Sequence, residues 1–219
     1  MPLRLPDKLP AIEILKKENI FVMDETRAHS QMIRPLRIVI LNLMPLKITT
    51  ETDLVRLLSN TPLQMEIYFM KLKSHTPRNT PVAHMKMFYK DSAELMKQKF
   101  DGMIVTGAPV ETIPYENVDY WSEINKIFDW ARTHVQSTLY LCWGAMAALY
   151  HFYGIPKYPL AKKKFGVFKT YPIDQKMSIF RGFDDYFYMP HSRHTEVRKE
   201  DIEQVPDLTL IADSPEAGV

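Results

Sequence analysis

One residue of this 219-residue sequence, Cys142, has the side chain and the setting of a nucleophile. It stands in STLYLCWGAMAALYHFYG (137–154), where a short aliphatic run meets a helical pattern and Gly144 follows two positions later. The arrangement resembles the second half of the strand–turn–helix element G-x-[SC]-x-G, although Tyr140 stands where the first glycine would be. A tight turn there would expose the sulfur, the positive end of the helix would favour its thiolate, and the Trp143 N–H could donate to an oxyanion.

A structural role for Cys142 is equally consistent with the pattern, because cysteine is among the residue types most often buried. Under that interpretation the thiol fills the end of a buried strand. A partner base would decide between the two, and the sequence offers seven histidines. They are His29, His75, His84, His134, His151, His191 and His194.

The block PHSRH holds the histidine of most interest. His134 and His151 fall in predicted helices, where surface or packing roles are expected. His191, Ser192 and Arg193 instead follow a predicted strand and could line a functional edge. A polar turn remains the simpler interpretation of the block.

Lys163 lies in the short basic run AKKKFG. Such runs are usually solvated, although this lysine could hold a carboxylate or a CoA phosphate. The sequence contains no HExxH, paired CxxC, Walker or GxGxxG pattern. We therefore expect no metal and no nucleotide-fold cofactor.

Aliphatic runs alternate with helical patterns from residue 36 to residue 154, and this alternation predicts a parallel sheet with helices on both faces. Ligands bind beyond the carboxyl ends of such strands, and Cys142 falls on that edge. Residues 74–90 are predicted to form a long surface connection. The strands are predicted in 36–45, 63–72, 101–109 and 137–142, and the helices from Thr49 or Thr50 to Pro62, near 91–100, over 118–135 and over 143–153. After Pro156 the pattern predicts strands near 161–173, 184–197 and 207–219.

The overall composition is that of an ordinary globular protein. Hydrophobic residues make up 46% and charged residues 25%, and the net charge of +2 predicts neither a nucleic-acid nor a membrane partner. The N-terminus lacks the apolar segment of a signal peptide, and no apolar run reaches the length of about 20 residues that spans a bilayer. With a single cysteine, the sequence fits a reducing compartment, so we expect a cytoplasmic protein.

Seven blocks, in this order, resemble the homoserine O-acyltransferases of bacterial methionine biosynthesis, of the homoserine transsuccinylase type. They are ENIFVM, RPLRIVILNLMP, LLSNTPLQ, RNTP, FDGMIVTGAP, LCWGAMAALYHFYGIPK and PHSRH. The resemblance covers essentially the whole chain. It implies a flavodoxin-like, class I glutamine amidotransferase-like α/β fold with a doubly wound, mostly parallel sheet. We expect residues 1–35 to be an N-terminal extension packing on the core, and residues 36–219 to be the acyltransferase domain, incomplete at its C-terminus.

The resemblance implies a two-step reaction in which Cys142 attacks the thioester of an acyl-CoA and the hydroxyl of L-homoserine then takes the acyl group. Acetyl-CoA would be a co-substrate, no cofactor is implied, and a homodimer is a possible assembly. The N–H of Trp143 and an N–H from the Leu43–Met44 turn are the candidates for an oxyanion hole. The resemblance places Lys163 and Ser192 against the substrate. Arg193 lies beside them and suits the homoserine carboxylate.

Glu111, in TGAPVET, bears on the acyl donor. Succinyl users of the family carry glycine at this position, and a glutamate would repel the distal carboxylate of succinyl-CoA but not acetyl-CoA. We therefore expect acetyl-CoA as the donor, with succinyl-CoA as the alternative. The other interpretation of Glu111 is a solvated loop residue that does not bear on the donor. Ser192 also bears on donor or acceptor choice in the family.

The sequence departs from the family in one respect: the Gly-His-Pro-Glu-Tyr motif that carries the catalytic histidine does not occur in it. The motif would fall soon after Val219, so we expect an incomplete and inactive version of an active parent enzyme. His191 is not expected to substitute, because the family carries it alongside the base. Two other interpretations stay open, a glutaminase-like amidase that uses Cys142 and a non-catalytic flavodoxin-like binding module.

Overall fold

The computed structural model describes residues 3–18, 20, 22–24, 34–75, 77 and 79–219. They group into two compact units. The first spans Met1–Pro109 and Tyr115–Ala145, and the second spans Val110–Pro114 and Met146–Val219. The described residues lack a helix long and apolar enough to cross a membrane.

A parallel sheet forms the centre of the first unit, as the alternating pattern predicts. Its strands are β1 (Leu3–Leu5), β2 (Val22–Asp24), β3 (Leu36–Leu41), β4 (Met65–Lys71), β5 (Tyr89–Asp91), β6 (Phe100–Val105) and β7 (Val135–Tyr140). They pair in the order β2-β1-β4-β3-β6-β7, and β5 pairs with β4 as well. The order β4-β3-β6-β7 is the 2-1-3-4 arrangement of a flavodoxin-like sheet, in which the order reverses between β3 and β6.

Helices connect these strands and cover both faces of the sheet. They are α1 (Pro10–Lys17), α2 (Lys47–Leu58), α3 (Val82–Phe88), α4 (Ser92–Leu95) and α5 (Trp121–His134). Residues of α1, α2 and α3 share one buried apolar cluster with Ile40, Phe69 and Ile104 of the sheet. Val39 and Leu41 alternate with Ile40, so they lie on the opposite face, and both are fully buried.

Helix α6 (Trp143–Tyr153) follows β7, and its residues Trp143–Ala145 belong to the first unit. The second unit is built on a long antiparallel pair, β8 (Tyr158–Pro172) and β9 (Phe187–Glu196). Their register is irregular between Pro159 and Lys164. The unit also holds β10 (Ala212–Asp213), which pairs with β8, and the short helix α7 (Lys199–Glu203).

Several predicted elements differ from the structure: the strand predicted near 207–219 is limited to β10, and the helix predicted near 91–100 is limited to α4. Helix α2 begins at Lys47 and not at Thr49 or Thr50, and the Thr50 hydroxyl donates to the Leu46 carbonyl one turn back instead of capping the helix. Residues 74–90 are not simply a surface connection, since they contain α3 and β5. Short apolar segments of this kind lack a long period, and packing against the sheet stabilises them as helices.

The N-terminal segment contributes β1, α1 and β2 to the first unit, and Leu5 and Leu15 are fully buried there. The division into an N-terminal extension, residues 1–35, that packs on the core and an acyltransferase domain, residues 36–219, stays a prediction. Residues 19, 21 and 25–33, which include His29, lie outside the described residues, and so does Arg78 of the block RNTP.

Candidate functional site

Cys142 sits on a strained turn between β7 and α6. Its φ of 51° is in the left-handed region, which costs a residue with a side chain about 1–2 kcal/mol. The Gly144 N–H donates to the Leu141 carbonyl at 2.9 Å, and the Ala145 N–H donates to the Cys142 carbonyl at 3.0 Å. The side chain of Cys142 is exposed, so its interpretation as a buried core residue is wrong. The positive end of α6 faces the turn that carries the sulfur.

Gly144 is glycine because the turn runs against the end of β6. A Cβ atom at this position would lie 2.7 Å from the Thr106 carbonyl oxygen, which is closer than real Cβ contacts allow, and 3.2 Å from the Val105 carbonyl oxygen, which is tight. Tyr140, which replaces the first glycine of the motif, instead packs its ring against Phe128 of α5, with the centroids 5.4 Å apart. The half motif is therefore sufficient for the turn.

Gly107, in the turn after β6, borders the thiol directly. A Cβ atom at Gly107 would lie 3.1 Å from the Cys142 Cβ, 3.5 Å from its Sγ and 3.7 Å from the Trp143 amide nitrogen. Gly107 is not among the site residues predicted from the sequence. The available signal was a glycine directly after a predicted strand, in the turn TGAP.

The amides proposed for an oxyanion hole differ in their surroundings. Trp143 begins α6, where N–H groups have no acceptor within the helix, and its fully buried indole packs against Tyr120 at 6.0 Å between centroids. The Leu43 N–H donates to the Thr106 Oγ1 at 2.7 Å, and the Met44 N–H donates to the Asn42 Oδ1 at 3.1 Å. Both amides therefore have acceptors inside the protein, and the oxyanion role of Leu43 and Met44 stays a prediction.

Five polar side chains beneath the Leu43–Met44 turn form a group that we call the buried polar cluster. Its members are Asn42, Lys47, Glu51, His84 and Tyr89. Burial lowers the pKa of Lys47 to about 8, and the charge of Glu51 opposes this shift. Desolvation and the neighbouring Glu51 carboxylate raise the pKa of Tyr89. The cluster therefore holds a buried carboxylate beside an ammonium group that titrates near the physiological range.

In the second unit, Glu111 contacts β9, the strand that contains Ser192. The half-buried Glu111 accepts a hydrogen bond from the His194 N–H through its Oε2, at 3.0 Å. Ser192 lies two residues earlier in β9, so its side chain projects from the same face as that of His194. Glu111 is therefore not a freely solvated loop residue.

The other predicted binding residues of this unit have varied surroundings. Lys163 is exposed, with its Nζ 5.3 Å from the centre of the Phe165 ring. Arg193 donates to the main-chain oxygens of Ala217 and Val219, the latter at 2.8 Å. These bonds engage part of the guanidinium, and a role of Arg193 in binding the homoserine carboxylate stays a prediction.

The ring of His191 packs edge-on to Phe168 with centroids 5.6 Å apart. Burial, followed by the charges of Arg193 and Lys164, lowers the pKa of His191. Its imidazole is therefore neutral at pH 7.

Among the described residues, no group of histidine, cysteine and acidic side chains could hold a metal ion.

Gly107→Ala should slow alkylation of Cys142 by iodoacetamide, because the added methyl group crowds the sulfur. The matched variant Gly144→Ala should instead lower the free energy of unfolding by about 1–3 kcal/mol, since its methyl group meets a main-chain carbonyl. Alkylation kinetics and urea unfolding measure the two effects. A Gly107→Ala protein that alkylates at the wild-type rate would contradict the contact.

Lys47 should make the protein more stable as the pH rises from about 8 to about 10. In this range the unfolded lysine keeps its proton and the folded one loses it, so the free energy of unfolding increases, by at most about 3 kcal/mol. Urea unfolding across the range, compared with Lys47→Met, isolates this contribution. Equal slopes for the two proteins would show that Lys47 titrates normally.

Comparison of this chain with known proteins identifies its family and its fold. The family model for homoserine O-succinyltransferase matches residues 2–219. The homoserine O-acetyltransferases of Phocaeicola vulgatus and Bacteroides thetaiotaomicron are 70% and 69% identical to this chain over all 219 residues, which span 72% of each relative. A glutamine amidotransferase from Thermotoga maritima, 11% identical, superposes with a TM-score of 0.56 over 85% of this chain and 70% of its own, which confirms the glutamine amidotransferase-like α/β fold. The chain belongs to the homoserine O-succinyltransferase family, the homoserine O-acyltransferases that its sequence motifs resemble.

Proposed function

We propose that the protein transfers an acetyl group from acetyl-CoA to the hydroxyl of L-homoserine, through a thioester on Cys142, and so supplies O-acetyl-L-homoserine for methionine biosynthesis. The observation that carries this proposal is the exposed thiol of Cys142 on a left-handed turn at the positive end of α6. The names of the matched relatives, homoserine O-acetyltransferase, support it. No cofactor is needed, because a thiolate and amide donors are sufficient for acyl exchange.

In the first step the Cys142 thiolate attacks the thioester carbonyl carbon of acetyl-CoA, and the CoA thiolate leaves as the new thioester forms. The intermediate places negative charge on the carbonyl oxygen, and two N–H donors would stabilise it. We assign one to Trp143 and the other to Gly107, whose main chain borders both the thiol and the Trp143 amide. Loss of one such donor typically costs about 100- to 1,000-fold in rate.

In the second step the homoserine hydroxyl attacks the acetyl-thioester, and a base must remove the hydroxyl proton. An alcohol is a weak nucleophile without this help, so the step depends on the base. The family's base lies in a Gly-His-Pro-Glu-Tyr motif that these 219 residues do not contain. The first step needs no such base, so formation of the acyl-enzyme can be measured separately from transfer to homoserine.

The choice of acetyl over succinyl rests on Glu111. Its hydrogen bond with the His194 N–H fixes a carboxylate beside the strand that carries Ser192. We propose that this carboxylate repels the distal carboxylate of succinyl-CoA, while acetyl-CoA carries no charge there. Succinyl transfer is the second candidate function, since the matching family is described as homoserine O-succinyltransferase.

Incubation with acetyl-CoA, followed by intact mass measurement, should show one acetyl group added to the protein and none added to Cys142→Ala. Succinyl-CoA should give less adduct in the same time. A folded protein without a Cys142-dependent adduct from either donor would contradict the proposal.

The same samples separate the other interpretations. Release of ammonia from glutamine would favour an amidase, and tight binding of acyl-CoA without any adduct would favour a binding module.

Glu111→Gly should raise the rate of acylation by succinyl-CoA relative to acetyl-CoA, by about tenfold if the repulsion is worth about 1.4 kcal/mol. Glu111→Gln serves as the matched variant because it removes the charge and keeps the size. If charge decides, both variants should shift the ratio. If space decides, only the glycine variant should. An unchanged ratio in both would refute the assignment.

A further inference from the structure

The buried polar cluster is an unusual feature of the first unit, because its five members are each at most 8% exposed. Burying a charged pair costs several kcal/mol per ion before the mutual attraction is counted, and apolar side chains of similar size often pack there at lower cost. Fold stability alone therefore does not account for the cluster. Its hydrogen bonds show what else it holds in place.

Glu51 is the centre of the cluster. Its carboxylate is 1% exposed and bonds to the His84 Nε2, at 2.9 Å from Oε2, and to the Tyr89 hydroxyl, which donates to Oε1. Lys47 lies one helical turn earlier in α2 and supplies the opposite charge. The apolar core shared by the sheet and helices α1, α2 and α3 adjoins the buried polar cluster, because it contains Phe88 and Tyr89.

A continuous set of hydrogen bonds leads from Glu51 to the loop after β3. The Tyr89 hydroxyl, which donates to Glu51, accepts a hydrogen bond from the Asn42 Nδ2 at 3.0 Å. The Asn42 Oδ1 in turn accepts the Met44 N–H at 3.1 Å. The Lys47 ammonium also donates to the carbonyl oxygen of Asn42 and, at 3.4 Å, to that of Met44. The conformation of residues 42–44 is therefore set by the cluster.

The same loop holds the turn that borders the nucleophile. The Leu43 N–H donates to the Thr106 Oγ1 at 2.7 Å, and the Thr106 hydroxyl donates to the Gly107 carbonyl at 3.1 Å. Gly107 lies against the Cβ and Sγ atoms of Cys142. Each link from Glu51 to Cys142 is thus a hydrogen bond, a peptide bond of the loop or a van der Waals contact within the first unit.

We infer that Glu51 and Tyr89 are positioning residues for acylation of Cys142, acting through Asn42 and Thr106 to hold the Gly107 main chain against the thiol. The inference rests on the proposed function, in which Gly107 supplies an oxyanion donor. Neither residue reaches the reacting atoms. Their effect is to fix a donor whose displacement by about 1 Å would cost on the order of 100-fold in rate.

Tyr89→Phe is the sharpest test, since it removes one hydroxyl group and keeps the ring that packs against Phe69. Acylation of Cys142 by acetyl-CoA should slow by about 10- to 100-fold. Alkylation of the same thiol by iodoacetamide needs no oxyanion donor and should keep its wild-type rate. Glu51→Gln, which keeps the shape and removes the charge, should produce the same separation of the two rates.

Phe88→Leu is the matched control, because Phe88 belongs to the same core and its ring packs on His84 without taking part in the hydrogen bonds. It should lower the free energy of unfolding and leave both rates unchanged. If Glu51→Gln fails to fold, Tyr89→Phe alone carries the test.

The outcomes distinguish this inference from the function on which it rests. A wild-type protein that forms no acetyl adduct would contradict the proposed function. A wild-type protein that forms the adduct, with Tyr89→Phe acylating at the same rate, would overturn the positioning role alone. Equal losses of acylation and alkylation in Tyr89→Phe would also overturn it, because they would indicate a general loss of structure.

Discussion

The close contact between the turn after β6 and the turn after β7 is the constraint on which the candidate site depends. Gly144 must pass within van der Waals distance of the Thr106 carbonyl, and Gly107 must pass the side chain of Cys142. The Leu141 N–H donates to the Val105 carbonyl at 2.9 Å, which extends the pairing of β6 and β7 up to these turns. Strand pairing therefore continues to the residue before the sulfur, and the strained backbone of Cys142 is held by its neighbours on both sides.

The loop after β3 completes this arrangement at the carboxyl edge of the sheet. In a flavodoxin-like order, β3 and β6 are the neighbours between which the direction of winding reverses, so their two loops diverge and leave a crevice. Here the Leu43 N–H bridges back to Thr106 at this point. A single amide-to-hydroxyl bond is worth about 1 kcal/mol, which is too weak to fix a loop unless the loop is held from elsewhere. The buried polar cluster supplies that support.

Much of the fold could be predicted because it depends on local patterns. The strands β3, β4, β6 and β7 are aliphatic runs, α5 has a clear helical period, and Cys142 was placed correctly at the carboxyl edge. Several contacts of the candidate site residues were not predicted because their partners are distant in the sequence. The Leu43 N–H is used by Thr106, 63 residues away, and the Arg193 guanidinium by a backbone turn 24 to 26 residues later. No periodicity of side chains reveals which acceptor an amide or a guanidinium will find.

The histidine that matters to the buried polar cluster was missed for the same reason. His84 stood in a segment with two prolines and little periodicity, and its partner Glu51 stood in the first turn of a predicted helix, where acidic residues are usually solvated. The folded structure brings the His84 Nε2 to 2.9 Å from the Glu51 Oε2 and buries both side chains. A residue's own neighbours in sequence therefore predicted its secondary structure better than its burial.

The two proposed chemical steps differ in what they require, and the first unit matches the requirements of the first step. Exchange of one thioester for another replaces a thiolate with a thiolate, so it needs a well-placed sulfur and donors for the oxyanion but little proton transfer. Cys142, Trp143 and Gly107 lie together at the ends of two neighbouring strands and have this character. Ester formation from an alcohol requires a base within hydrogen-bond reach of the hydroxyl. The half-reaction at Cys142 can therefore be tested by itself, and its rate reports on the main-chain geometry around the thiol and not on the base.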